Sequence, residues 1–385
     1  MKRSQTDATV MIDARYLNGK ESGIGRYTRQ LIRWLLEIDE GLQLRLVTHR
    51  GCPEPVKDRR VRCEVYGGPA NSFRTRCGLS RAVDFRGVDL FHSPFNLLPA
   101  DLPVPGVFTL HDIMWLMDPG LCTGVRWRRW VTGSFYGAMI PRSVREAARV
   151  LTVSESSARD IEGWFPDVEG RVRVAKNGVD REFSPMRPEE AWPRLSRWMG
   201  PRTPFVLVVG QGAPYKNHEG AVRGFLEAFG DVPEVRLVLV RRLYSKMRGE
   251  LGELLRDPRL AGRVVGLPYV GLEELRALYS MALALVFVSK YEGFGLPALE
   301  AMASGTCVVA SDRGAPAEIC GEGAVLVDPE DPVEVGEGLR RIWENEKWRE
   351  EQVRRGMERS KRYGWEECAR EVLSVYREVL EERKY

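Results

Sequence analysis

Residues 289–305 read Ser289-Lys290-Tyr291-Glu292-Gly293-Phe294-Gly295-Leu296-Pro297-Ala298-Leu299-Glu300-Ala301-Met302-Ala303-Ser304-Gly305. They follow Ala282–Val288 (ALALVFV), a short apolar run rich in β-branched and aromatic residues, which reads as a buried strand of a parallel sheet. After Pro297 the texture changes. Proline suits a first helical turn, Ala298 to Ala303 are mostly helix formers, and Gly305 is a natural stop. Gly293 and Gly295 thus lie where a strand gives way to a helix, a place where backbone N–H groups and the helix dipole meet an anion. Glu292 falls in the loop and Glu300 one turn into the helix, so they do not share a helix face. They reach two parts of one elongated ligand or, in the plainer reading, are a loop charge and a surface helix carboxylate.

Upstream, Phe205–Val209 is a second strand, followed by Gly210-Gln211-Gly212-Ala213-Pro214-Tyr215-Lys216-Asn217 and a helix near 218–229. Further apolar runs at 235–240, 264–265, 306–310 and 324–327, with helices at about 271–281, 297–304 and 332–362, complete an alternating β/α series. The first half repeats the texture. Thr9–Ile12 is a strand, and Ser22-Gly23-Ile24-Gly25-Arg26-Tyr27 opens an amphipathic helix. Gly23 and Gly25 allow close approach of a phosphate or sugar, although a simple Gly-rich loop explains the spacing equally well. Runs at 42–48, 88–92 and 107–110 follow, and two of them lead into histidine, at His92 and His111. Residues at the carboxyl ends of strands in an open α/β sheet face the ligand crevice, so both are candidates. Val125–Trp130, with three arginines and two tryptophans, is either core aromatics with a solvated rim or a surface for a membrane or polyanionic acceptor. Ser184–Pro204, with five prolines, reads as a linker. These features divide the chain into domains at 1–184 and 185–364.

With 385 residues, 43% hydrophobic and 29% charged, the chain has the composition of a soluble two- or three-domain protein. Its net charge of +4 is small for this length and argues against a dedicated nucleic-acid binder. Seven scattered cysteines without a C-x-x-C pair suggest neither a disulfide framework nor a zinc site. The basic N-terminus lacks an apolar core, and no apolar run is long enough to span a bilayer. The expected location is cytoplasmic, with at most peripheral membrane contact; the sequence leaves the oligomeric state open.

The 289–305 stretch closely resembles the Glu-x7-Glu signature of retaining glycosyltransferases of family 4, and Gly-Ile-Gly-Arg-Tyr resembles their common opening. The resemblance implies a GT-B fold: two Rossmann-like doubly wound α/β domains facing an interdomain cleft, the first completed by a C-terminal helix at about 365–385. It implies transfer of a hexosyl group, with retention, from a nucleotide-diphosphate sugar to a hydroxyl of a glycan, lipid-linked or small-molecule acceptor. By the same resemblance Glu292 lies at the donor sugar and His111 contacts it. Glu300 accepts from the nucleotide ribose, and Lys216 binds the diphosphate. Gly293, Phe294, Gly295, Leu296, Gly210 and Gln211 line the donor site. Many members carry a second cation at the position of Gln211, and Arg241, Arg242 or Lys290 are its candidate replacements. No two aspartates stand two apart, so the common metal-binding Asp-x-Asp pair is missing. The expectation is a metal-independent enzyme without cofactors. A nucleotide-sugar 2-epimerase of similar fold and a non-catalytic sugar-nucleotide-binding subunit are the competing readings.

Overall fold

A computed structural model describes residues 7–18, 22–52, 54–241 and 250–383. Arg242, one of the candidate cations, lies outside the described residues. The chain divides into two compact units. One comprises 1–117, 130–178 and 364–385, and the other 118–129 and 179–363.

In the first unit seven strands are described: β1 (Thr9–Asp13), β2 (Gln43–Thr48), β3 (Val61–Val65), β4 (Leu90–Ser93), β5 (Gly106–Thr109), β6 (Arg149–Thr152) and β7 (Val172–Val174). They form one parallel sheet in the order β3-β2-β1-β4-β5-β6-β7. β3 is not expected from sequence. Its residues VRCEV carry no apolar run because it is an edge strand with little burial. The C-terminal helix Trp365–Glu382 packs on helix Gly23–Ile38, its buried face including Cys368, Val372, Tyr376 and Val379.

The second unit carries β8 (Phe205–Val209), β9 (Arg236–Val240), β10 (Val264–Leu267), β11 (Ala284–Phe287), β12 (Cys307–Ser311) and β13 (Val325–Val327). These are also parallel, in the order β10-β9-β8-β11-β12-β13. This is the doubly wound nucleotide-binding order, in which the chain moves outward on one side of the first strand and then on the other. Val206, Leu207, Leu285, Val286 and Val309 are buried, as covering of the sheet by helices on both faces requires.

Two expectations fail here. The proline-rich segment read as a linker holds helix Pro188–Met199, with Pro188 in its first turn, Glu189 and Glu190 beside it, and Ala191, Leu195 and Met199 buried. Proline in a first turn starts a helix, and the 3.6-residue spacing of the apolar positions sets this one against helix Leu272–Met281. The single helix expected over 332–362 is two, Pro332–Glu344 and Glu346–Ser360, because Asn345 ends one and caps the next by accepting from Trp348 N at 3.0 Å.

Candidate active site

In the second unit β8 and β11 are hydrogen-bonded neighbours although most of two α/β repeats lie between them in sequence. Their carboxyl ends mark the point where the strand order reverses, so the loops that follow them meet over a crevice. Asn217 fastens those loops together. Its backbone is left-handed at φ +50°, its Oδ1 accepts from Gly220 N to start helix His218–Phe229, and its Nδ2 donates to Val288 O (3.0 Å) and Pro329 O (2.6 Å). Lys290 N donates to Tyr215 O at 2.8 Å across the same gap.

The result is a contact between two residues that the sequence assigned separate tasks. Lys216 Nζ lies 2.5 Å from Glu292 Oε1, and Ser289 Oγ donates to the same oxygen at 2.8 Å. Only 9% of the lysine side chain and 11% of the glutamate are exposed. An ammonium so far removed from water needs a counter-charge, and Glu292 supplies it. Lys216 also stands over the rings of Phe287 and Tyr215, at 5.1 and 5.2 Å, whose negative faces favour the cation.

Glu300 is not a solvated helix carboxylate. It is 4% exposed, and its Oε2 accepts from the hydroxyl of Tyr279 at 2.9 Å. Tyr279 is itself fully buried and held through its backbone carbonyl by Thr306 Oγ1. Gly295, at φ +121°, precedes helix Leu296–Ala303, which has no side-chain cap; Pro297 carries no N–H, and Ala298 N donates to Gly295 O at 3.1 Å within the first turn. A Cβ at Gly295 would sit 3.3 Å from the Phe287 ring. Phe294 is buried edge-on against Tyr363, so its ring shapes the loop, whereas Gly293 and Leu296 are half-buried.

Across the crevice Gly210 is half-buried, and Gln211 and Gly212 are exposed. Of the cations considered for the place of Gln211, Lys290 is paired with Glu330 at 3.3 Å, and that carboxylate also receives Arg313 at 2.8 Å.

In the first unit His111 is half-buried after β5. Its Nε2 lies 3.0 Å from the carbonyl of Pro94, so this nitrogen carries the proton, and burial pushes the imidazole down to about 4. The edge of Tyr27, from the Gly-rich opening, packs on its ring at 5.0 Å between centroids. Gly25 is buried, with a Cβ position 3.1 Å from Tyr16 O, while Gly23 is exposed and open. His92 is fully buried, its Nδ1 2.5 Å from Tyr376 Oη and its Nε2 2.9 Å from Thr109 Oγ1. Both ring nitrogens are spent on joining β4 to β5 and the C-terminal helix, a structural task. Asp112 Oδ1 accepts from Met114 N at 3.1 Å.

The aromatic and basic cluster also departs from the plainer reading. Trp127 is 64% exposed and Trp130 76%, on the first turns of helix Arg126–Glu146, so neither is core. The sequence signal missed Tyr279 and Ser289, because what they support lies in other segments; only the fold brings Tyr279 against Glu300.

Two parallel doubly wound sheets, one with a lysine–carboxylate pair at its switch point, are the architecture of the GT-B glycosyltransferases. The family model "Glycosyltransferase Family 4" matches residues 22–183 and "Glycosyl transferases group 1" matches 200–359. The chain belongs to glycosyltransferase family 4. It is 29% identical to O-antigen chain mannosyltransferase B of Escherichia coli, over 75% of this chain and 74% of the relative. It is 32% identical to the D-inositol 3-phosphate glycosyltransferase of a Nocardioides strain, over 62% of this chain and 56% of that protein's length. Sucrose-phosphate synthase from Thermosynechococcus elongatus shares the fold, with a TM-score of 0.74 at 21% identity, covering 97% of this chain and all of that one. Among the described residues no helix is long and apolar enough to cross a membrane.

Proposed function

We propose that the chain transfers a hexosyl group, with retention and without a metal, from a nucleotide-diphosphate sugar to a hydroxyl of a glycan or lipid-linked acceptor. The observation that carries this reading is the Lys216–Glu292 pair, its carboxylate in the loop that leads into the N-terminus of helix Leu296–Ala303. Breaking the anomeric C–O bond leaves its electron pair on the diphosphate, and a cation and a helix N-terminus fixed in a sheltered crevice oppose that charge. Lys216 can give one N–H to a phosphate oxygen while keeping another on Glu292. The acceptor hydroxyl then attacks the anomeric carbon from the leaving-group side and passes its proton to the departing phosphate oxygen.

Glu300, oriented by Tyr279, takes the ribose hydroxyls, and His111 contacts the transferred sugar. The likeness to a mannosyltransferase favours GDP-mannose as donor, with UDP-hexoses the other class. The exposed Trp127 and Trp130 among Arg126, Arg128 and Arg129 fit peripheral contact with a membrane that bears a lipid-linked acceptor.

A thermal-shift screen of GDP- and UDP-sugars tests the donor, since a ligand at a hundred times its Kd stabilises by about 2.7 kcal/mol. With the donor in hand, activity should survive excess EDTA, the product anomer should match the donor, and Lys216→Ala should lower kcat by about a hundredfold or more. An absolute need for Mg²⁺ or Mn²⁺, or an inverted anomer by NMR, contradicts the proposal.

A further inference from the structure

Two buried arginines of this fold spend their donors fully. Arg263 gives Nε to Val235 O (3.0 Å), Nη1 to Arg259 O (2.9 Å) and Nη2 to Val232 O and Val235 O (2.8 and 2.9 Å). Arg15 binds Asp13, Gly68 O and Thr75 in the same thorough way. Arg241 does not. It follows the last residue of β9, its backbone N bonds Leu267 O at 2.9 Å, and its side chain turns toward the Gly-rich loop after β8. There Nη2 makes one long contact, 3.3 Å to Gly212 O, while Nε and Nη1 are sheltered from solvent with no partner among the described residues. The guanidinium lies so close under the turn that a Cβ on Gly212 would stand 2.5 Å from Nη2.

A second group nearby is in the same condition. His218, the first residue of helix His218–Phe229, is 3% exposed, and neither ring nitrogen has a partner among the described residues. Its Nε2 lies 3.3 Å from where a Cβ on Gly210 would be, so the imidazole rests against the same turn. Burial, with Arg241 and Lys216 close by, pushes it down to about 3 and keeps it neutral. Lys216 borders this turn as well, its Cδ 3.2 Å from the Gly210 Cβ position. Of the charges that face this cluster, Glu292 is taken by Lys216, and Glu219 acts on Arg241 only through space. Sheltered N–H donors left unmet are costly, and they gather at the turn that ends the first strand of a nucleotide-binding sheet.

We infer that Arg241 is a second cation for the donor diphosphate, acting from the end of β9 beside Lys216 in place of any charge on the exposed Gln211. This rests on the reading of the site given under Proposed function. A guanidinium presents a planar fork to two phosphate oxygens along either of two edges, Nε with Nη2 or Nη1 with Nη2; each edge of Arg241 holds one unmet N–H beside Nη2, whose only contact among the described residues is the long one to Gly212 O. Arg241 then makes the site discriminate by phosphate number: it should favour nucleoside diphosphates over monophosphates and nucleosides.

The test is titration calorimetry of the full-length protein with GDP, GMP and guanosine, or the uridine series if the wild type prefers it. Arg241→Gln should weaken the diphosphate ten- to a hundredfold and leave the nucleoside within about twofold. Adding Gln211→Arg to that variant should recover part of the loss, because it supplies a cation from the turn itself. Equal losses for diphosphate and nucleoside, or no loss, overturn the inference. Should Arg241→Gln fail to fold, Arg241→Lys serves, since a point charge cannot make the fork; a selective diphosphate loss of three- to tenfold is expected, and its absence overturns the inference. The reading of the site fails separately, if wild type binds no nucleoside diphosphate or Lys216→Ala leaves that binding unchanged.

Discussion

Replacing Glu292 with glutamine removes the carboxylate from a contact of 2.5 Å between side chains about nine-tenths buried. A charge-assisted hydrogen bond of this kind contributes about 1.5–3 kcal/mol. The lysine it leaves behind remains sheltered and loses its counter-charge. In the ligand-free protein Glu292→Gln should therefore lower the Tm by about 3–12 °C, at the 2–4 °C per kcal/mol expected of a domain of this size. A nucleoside diphosphate then becomes the missing counter-anion. Its affinity should rise about tenfold, equivalent to about 1.4 kcal/mol, while turnover falls because the sugar loses its carboxylate. Separate roles for the two residues, the expectation from sequence, predict unchanged nucleotide affinity, so the ion pair reverses an expected null result. Thermal unfolding without ligand, calorimetry with the free nucleotide and rates with the full donor measure the three quantities. Unchanged Tm together with unchanged nucleotide affinity would refute the coupling, as would a double mutant with Lys216→Ala whose effects are simply additive.

Glu300→Gln should weaken free nucleoside diphosphate and intact donor alike by about 1.5–3 kcal/mol, and Tyr279→Phe by a smaller amount in the same direction, about 0.5–1.5 kcal/mol; a loss confined to the sugar-bearing donor would reassign Glu300. His92 and His218 are both held near 3 by burial, whereas an unfolded imidazole titrates near 6.5. Below pH 6.5 the unfolded chain takes up protons that the folded chain does not, so stability should be flat above pH 7 and fall by up to about 1.4 kcal/mol per pH unit for each histidine toward pH 3. Urea midpoints from pH 8 to pH 4 check this, and a midpoint constant down to pH 5 would contradict it. Gly178→Ala should destabilise the first unit by about 1–3 kcal/mol through overpacking, since a Cβ there would lie 2.2 Å from Trp365 N; a Tm within a degree of wild type would show that the returning chain gives way freely.

The class of fold was legible in the linear chain because strands buried on both faces must be continuously apolar, and Ala282–Val288 and Phe205–Val209 announce themselves by that alone. The strand-to-helix turn at Gly293–Pro297 was equally plain, since glycine before a helix and proline in its first turn are local requirements of backbone geometry. Asn177-Gly178 shows the limit of such reading. A turn accounts for the pair in sequence, yet Gly178 is required by the backbone of Gly364–Trp365, almost two hundred residues later, lying against its α-carbon. The same holds at the site. Lys216 and Glu292 were each visible in their own motifs, but their ion pair depends on the switch between β8 and β11, a property of strand order that no window of sequence contains. The burial of Glu300 under Tyr279 and the unspent donors of Arg241 were decided in the same way. Local propensity sets which segments become strands and helices; which side chains end in contact, and which are left without partners, is set by the packing of segments distant in the chain.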